Sequence, residues 1–189
     1  PGQQLPFRRL IRTLSLVLLA AGLGGCALVP WRRQPAIRLG LGAENREEPA
    51  LSGDGRLLAS LVERGGRTTV VLQDRRSGQQ LPLPQLRSHQ PHSSPSLSWN
   101  GRYLALLVQQ GGRRQAVIDD RATGRLLPLF LPAGLEPRRL SLAPDGQRLA
   151  LAVIAGGSQR VELFDLSGQL EPDRAPGLRV SGGGAPVEP

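Results

Sequence analysis

The chain has 189 residues and a formal net charge of +9, a length that fits one domain or a small pair. Hydrophobic residues make up 39% of it and charged residues 21%, which supports a packed core and excludes wholesale disorder. The 24 glycines and 17 prolines favour a turn-rich β protein over a helical bundle. Aromatic residues, at 3%, are too few for the stacking surfaces of most single-strand nucleic-acid binders.

The positive charge is dispersed along the chain. All basic residues are arginines, and after the first 26 residues acidic residues lie between them. A nucleic-acid-binding protein concentrates its basic residues on one element or face, so we predict no nucleic-acid partner. The dispersed pattern is typical of a solvated surface, and the alternative is a patch for anionic lipid or glycan.

The N-terminal segment has the organisation of an export signal. Residues 7–13 are basic, residues 14–23 are uninterrupted apolar, and small residues follow. This order is typical of a secretory signal peptide, and the apolar run is shorter than the ~20 residues of a membrane-spanning helix. We therefore predict a signal peptide, with a signal helix, over residues 1–25.

The signal ends at the only cysteine of the chain. The segment Leu23, Gly24, Gly25, Cys26 resembles the lipobox of bacterial lipoproteins. The resemblance implies diacylglycerol on the Cys26 sulfur and cleavage that makes Cys26 the new N-terminus, and Ala27 after it implies sorting to the outer rather than the inner membrane. Residues 26–48 would then be a lipidated tether. A single cysteine makes no internal disulfide, and the alternative role is a buried cysteine in an anchor helix.

The remaining chain contains three copies of one unit, over residues 49–84, 95–130 and 140–170. Four markers recur in phase. They are a turn glycine (Gly55, Gly101, Gly146), a Gly-Gly pair (65–66, 111–112, 156–157), a strand-ending acid (Asp74, Asp120, Asp165) and a closing glycine (Gly78, Gly124, Gly168). Internal repetition with a period of 20–50 residues indicates a repeat architecture.

Each copy is predicted to form short strands joined by tight turns. Asp54, Asn100 and Asp145 precede the turn glycines, and these dipeptides supply the positive φ of hairpin turns. The second strand is apolar on both faces (57–62, 103–108, 149–154), as in strands covered on both sides. The third is rich in β-branched residues (68–72, 116–118, 161–164), and in the first two copies its terminal acid is predicted to accept hydrogen bonds from turn amides. A short fourth strand containing proline (81–83, 126–129) fits a sheet edge.

A four-stranded antiparallel sheet at this period is the signature of a β-propeller blade. Residues 143–150, APDGQRLA, resemble the repeat motif of TolB-type and WD-repeat-like propellers. We therefore predict an all-β fold of three four-stranded antiparallel propeller-like blades. The resemblance identifies the blade and not the function, because propellers serve as enzymes, scaffolds and binders.

Three blades are fewer than the 4–8 of a closed propeller, which leaves apolar faces and sheet edges to be covered. One solution is a homodimer. Another is an open arc capped by residues 27–48 and 171–189, in which residues 36–39 or 178–180 add a strand. A third is docking to a different protein. The Pro- and Gly-rich residues 171–189 are otherwise predicted to be a flexible tail.

Few residues suggest chemistry. The chain has neither a Gly-x-Ser-x-Gly elbow nor a phosphate-binding loop. His89 and His92 belong to a predicted solvated loop, HQPH, with too few ligands for a metal. Asp119 and Asp120 offer a cation site or a shared proton, but the repeat favours a turn role for Asp120. We predict no enzyme activity, no cofactor and no metal.

Together these features predict an exported, lipid-anchored scaffold or binding protein of the bacterial cell envelope that faces the periplasm. The TolB resemblance implies other envelope proteins as partners, in addition to the membrane, contacted through loops and exposed blade edges. The alternatives are a ligand- or carbohydrate-binding or enzymatic propeller, or a non-functional fragment of a longer propeller.

Overall fold

The computed structural model describes residues 44–87 and 89–174. The predicted signal peptide, Cys26, residues 36–39 and residues 178–180 lie outside the described residues. Within the described part the chain forms eleven strands in three antiparallel sheets. None of the described segments is a helix long and apolar enough to cross a membrane.

The sheets follow one another along the chain. The first contains β1 (Glu47–Leu51), β2 (Leu57–Arg64), β3 (Arg67–Asp74) and β4 (Gln80–Leu81). The second contains β5 (His92–Leu97), β6 (Tyr103–Gln110), β7 (Arg113–Asp120) and β8 (Arg125–Pro128). The third contains β9 (Glu136–Leu142), β10 (Arg148–Ala155) and β11 (Ser158–Asp165). Neighbouring strands in each sheet are consecutive in the chain, which is the up-and-down order of a propeller blade. The predicted all-β fold of stacked blades is confirmed.

The third sheet has three strands in the described part of the chain instead of the predicted four. After β11 the chain turns at Leu166 and runs towards the second sheet. Leu166 and Leu170 are buried there, in the core between the second and third sheets. Because these two leucines are buried there, the described segment after β11 does not pair with β11 as a fourth strand.

The central hairpin of each sheet has a two-residue Gly-Gly turn. In the first sheet Arg64 pairs with Arg67 across Gly65 and Gly66, whose φ angles are 59° and 74°. The other two hairpins repeat this geometry at residues 111–112 and 156–157. Positive φ at both turn positions matches the right-handed twist of the strands, so glycine at both positions fixes the register of the hairpins.

The core lies between the sheets in two layers. Leu57, Ala59 and Leu61 of β2 pack against the second sheet. Successive side chains of a strand point to opposite faces, so alternate residues of β6 reach the two neighbouring sheets. Leu104 and Leu106 join the first layer, whereas Tyr103, Ala105 and Leu107 join the second. The second sheet is therefore buried on both faces.

Candidate functional site

The outer face of the third sheet is apolar and exposed. Ala150 of β10 pairs with Leu163 of β11, and Ala152 pairs with Val161, so the four side chains share one face. We call these four residues the open face. Val161 is 66% exposed and Leu163 is 78% exposed.

The repeat uses the equivalent positions for packing in the first two sheets. Leu163 lies two residues before its strand-ending acid, as Leu72 and Ile118 do. Leu72 is 1% exposed and Ile118 is 3% exposed, because each packs against the following sheet. The open face therefore has the apolar composition of a surface between blades, and it faces solvent.

The outer edge of β11 lies beside the open face. Among the described residues, β11 pairs only with β10. Arg160 and Glu162 of β11 form an ion pair of 2.7 Å on the face opposite Val161. An unpaired strand presents backbone donors and acceptors that another strand can pair with, so the face and edge together form the candidate binding surface.

The predicted turn residues lie at the opposite ends of the strands from the Gly-Gly hairpins. Oδ1 of Asp54, Asn100 and Asp145 accepts a hydrogen bond from the amide two residues later, at 2.9–3.0 Å. The turn glycines Gly55, Gly101 and Gly146 have φ of 68°, 73° and 76°. Oδ1 of the strand-ending acids Asp74, Asp120 and Asp165 accepts from the amides of Arg76, Ala122 and Ser167 at 2.8–3.1 Å.

The arginine that follows the turn glycine forms an ion pair with the strand-ending acid in the first two copies. Arg56 contacts Asp74 at 3.0 Å, and Arg102 contacts Asp120 at 3.2 Å and Glu171 at 2.8 Å. Partial burial raises the pKa of Asp120, but hydrogen bonds from Arg102, Thr123 and the Ala122 amide outweigh it and place that pKa below its ordinary value. Hydrogen bonds to Asp120 and Glu171 raise the pKa of Arg102. Sequence reasoning missed these pairs, although a basic residue follows the turn glycine in both copies.

Asp119 and Asp120 do not form a joint site. They are adjacent in β7, so their side chains point to opposite faces of the sheet, and Asp119 is opposite Leu104 whereas Asp120 is opposite Tyr103. Burial, followed by the nearby Asp120 charge, raises the pKa of Asp119 despite the opposing effect of Arg121. The described residues contain no group of three or more His, Cys, Asp or Glu side chains arranged to hold a metal ion.

The prediction that HQPH is a solvated loop is wrong for one of its histidines. His92 is the first residue of β5 and is 4% exposed, whereas His89 is exposed. The His92 ring packs against the first sheet, where Nδ1 accepts a hydrogen bond from the Val70 amide at 3.1 Å. Both histidines line one cavity at this junction.

No protein-family model matches the chain, and no curated protein matches it. Solved structures do. TolB from Acinetobacter baumannii matches with a TM-score of 0.53 and 19% identity, over 67% of this chain and 31% of that one. A putative TolB from Agrobacterium tumefaciens matches with a TM-score of 0.54 and 16% identity, over 67% of this chain and 47% of that one.

The fold likeness includes an enzyme. The β-propeller domain of the Trilobed protease from Pyrococcus furiosus matches with a TM-score of 0.53 and 13% identity, over 69% of this chain and 42% of that one. The prediction that the protein is not an enzyme is overturned by this finding. Enzymes use this fold, and the missing motifs of two enzyme classes do not exclude the others.

The region of likeness spans between 31% and 47% of each of these structures. At identities below 20% the likeness establishes the fold alone. The predicted resemblance is confirmed at that level: the chain has a TolB-like β-propeller fold.

Proposed function

We propose that this is an exported, lipid-anchored protein of the bacterial envelope that binds another envelope protein through the open face and the outer edge of β11. One observation carries the proposal: Val161 and Leu163 are exposed at positions that the first two sheets use for packing. Export and anchoring rest on the lipobox-like segment that ends at Cys26, and the TolB likeness of the fold agrees with a binding role.

The surface defines the chemistry of the partner. A partner that covers the open face must present an apolar surface, because the favourable step is the removal of Val161 and Leu163 from water. The edge requires an extended strand, since main-chain hydrogen bonds along β11 provide affinity while alternate side chains provide specificity. We therefore expect the partner to pair a strand with the edge of β11, in place of a fourth strand, and to cover the open face with apolar side chains, as a fourth blade would.

The anchor is tested by metabolic palmitate labelling of the full-length protein and its Cys26→Ser variant. Serine keeps the size of the side chain but lacks the thiol that forms the thioether, so we expect label in the wild type and none in the variant. Equal incorporation in both proteins removes the lipid anchor from the proposal.

The partner is tested with a photo-crosslinking amino acid at Leu163 in native envelopes. The matched control has the same amino acid at Phe130, an apolar side chain 83% exposed outside the open face. We expect an adduct with one exported protein, identified by mass spectrometry, from position 163 and not from position 130. A cross-link between two copies of the chain, a cytoplasmic partner, or no specific adduct refutes the proposed role.

A further inference from the structure

A cavity of about 680 Å³ lies at the junction of the first and second sheets. Its volume falls within the range of about 300–1,000 Å³ typical of ligand pockets. Leu81, Leu83 and Leu86 contribute apolar walls, and Arg64 and Arg67 approach it from the β2–β3 hairpin. No acidic residue occurs among its described lining residues. Arg64 pairs with Glu44 at 3.5 Å, which leaves Arg67 as the lining cation without an ion pair among the described residues.

The cavity lies beside a free strand edge. β4 ends at Leu81 and pairs with β3 only at Leu72 and Gln73, so no strand accompanies residues 67–71 on that side within the described structure. No backbone hydrogen bond joins the described part of the linker 82–91 to this stretch either. The Val70 amide on this edge donates to His92 Nδ1, so the open stretch is residues 67–69, about 10 Å long at 3.3 Å per residue, which is room for the last residues of an extended peptide.

His92 adds a buried donor without an acceptor. Because Nδ1 accepts from the Val70 amide, the neutral ring carries its proton on Nε2. Burial lowers the pKa of His92 to about 4, so the ring is neutral at pH 7. Nε2 is buried and has no hydrogen-bond partner among the described residues. Buried donors in native structures normally have an acceptor, so we expect Nε2–H to donate to a carbonyl or carboxylate oxygen of a bound ligand.

We propose that this groove binds the C-terminal end of an apolar peptide, which lies along β3 at residues 67–69, places its carboxylate against Arg67, and accepts a hydrogen bond from His92 Nε2. Main-chain pairing uses the backbone groups of residues 67–69. The leucine walls take the apolar side chains. Arg67 favours a carboxylate over an amide, since its guanidinium group forms charge-assisted hydrogen bonds with carboxylates. This inference is independent of the open face.

The second sheet provides an internal comparison. There β8 pairs with β7 from Val117 to Asp120, and the Leu129 amide extends that pairing to Ala116 O at 2.9 Å. By repeat position, Pro137 takes the place of His92. The cavity beside the second sheet has a volume of about 360 Å³. Arg113 of that sheet is the equivalent of Arg67, and it supplies a matched control.

The test uses calorimetric titration of the full chain with the tetrapeptide acetyl-Val-Thr-Leu-Val, either with a free carboxylate or as its C-terminal amide. We expect the acid to bind at least about tenfold more tightly than the amide, because only the carboxylate forms charge-assisted hydrogen bonds with the guanidinium group. Arg67→Gln should weaken binding of the acid about tenfold and should leave binding of the amide unchanged. Arg113→Gln should change neither.

His92→Asn separates the donor from the charge. Asparagine can still accept from the Val70 amide but lacks the position of Nε2, so we expect weaker binding of both acid and amide by a similar factor. Equal affinity for acid and amide, equal effects of Arg67→Gln and Arg113→Gln, or no binding to the wild type overturns the proposal.

Discussion

At the scale of single residues, burial of His92 links its protonation to folding. Its pKa falls from the ordinary 6.5 to about 4 because burial disfavours the charged ring. Between these pH values the unfolded chain binds a proton that the folded chain does not. The contribution of His92 to stability is therefore complete above pH 6.5 and is lost as the pH falls towards 4, by about 3 kcal/mol in total.

Replacement of His92 by asparagine should flatten this pH dependence. His92→Asn removes the titrating ring, so its free energy of unfolding should fall about 3 kcal/mol less than that of the wild type between pH 6.5 and pH 4. Urea denaturation, followed by circular dichroism at several pH values, measures the free energy of unfolding of both proteins. His89→Asn, at an exposed position, should behave like the wild type. Parallel falls for wild type and His92→Asn contradict this account.

The turn residues could be predicted from local sequence, but the environment of His92 could not. Asp-Gly and Asn-Gly set their own geometry within a few residues, so Asp54, Asn100 and Asp145 were identifiable without a fold. The burial of His92 depends on contact with Val70, 22 residues earlier in the chain. The polar sequence around His92 does not predict this contact. Hydrophobic periodicity predicts the type of a local element, and it does not predict which distant residue that element contacts.

At the scale of elements, the turn glycines also connect one sheet to the previous one. A Cβ added at Gly101 would lie 2.5 Å from Leu57 Cδ1, and one at Gly146 would lie 2.5 Å from Tyr103 Cδ2. Leu57 and Tyr103 are equivalent residues of successive copies. Gly55 has nothing within 4 Å. Each following turn therefore leaves space for a large side chain of the sheet before it, in addition to adopting positive φ.

Gly146→Ala should be markedly more harmful than Gly156→Ala. Both glycines have positive φ, at 76° and 56°, so both variants bear a strain of about 1–2 kcal/mol. Only Gly146→Ala also meets the buried Tyr103 ring, and such overpacking adds about 1–3 kcal/mol. Thermal and urea unfolding of both variants measures the difference. Equal destabilisation would show that Gly146 is required for its backbone conformation alone.

The repeat pattern predicts the inner strands of the sheets better than the fourth strands. The apolar runs predicted over 57–62 and 103–108 lie within β2 and β6, because burial on both faces leaves a continuous apolar pattern. The fourth strands are less defined by sequence. β4 covers only Gln80–Leu81 and β8 covers Arg125–Pro128, since edge strands have few packing partners to fix their ends. The absence of a described fourth strand in the third sheet was not predictable from sequence. It depends on the packing of Leu166 and Leu170 in the core between the second and third sheets.

At the scale of the whole molecule, the chain after β11 ties the third sheet to the second. The Tyr103 hydroxyl donates to Glu171 O at 2.8 Å, and the Asp173 amide donates to Asp145 O at 2.8 Å. Asp173 is buried, and its Oδ2 accepts from the Ser98 hydroxyl and, at 3.0 Å, from the Asn100 amide. Asp173 therefore joins turns of both sheets, the second through its carboxylate and the third through its amide, so we expect the two sheets to unfold together.

Removal of that carboxylate should destabilise the whole unit. Asp173→Ala leaves the fully buried Ser98 hydroxyl and the part-buried Asn100 amide without their acceptor, and unsatisfied buried polar groups cost about 1–3 kcal/mol each. We expect a loss of about 2–4 kcal/mol in the free energy of unfolding. Glu171→Ala, which removes only an exposed partner of Arg102, should lose no more than about 1 kcal/mol. Urea unfolding followed by circular dichroism and by tryptophan fluorescence distinguishes the variants. Equal losses, or separate transitions for the two probes in the wild type, would show that Asp173 does not couple the sheets.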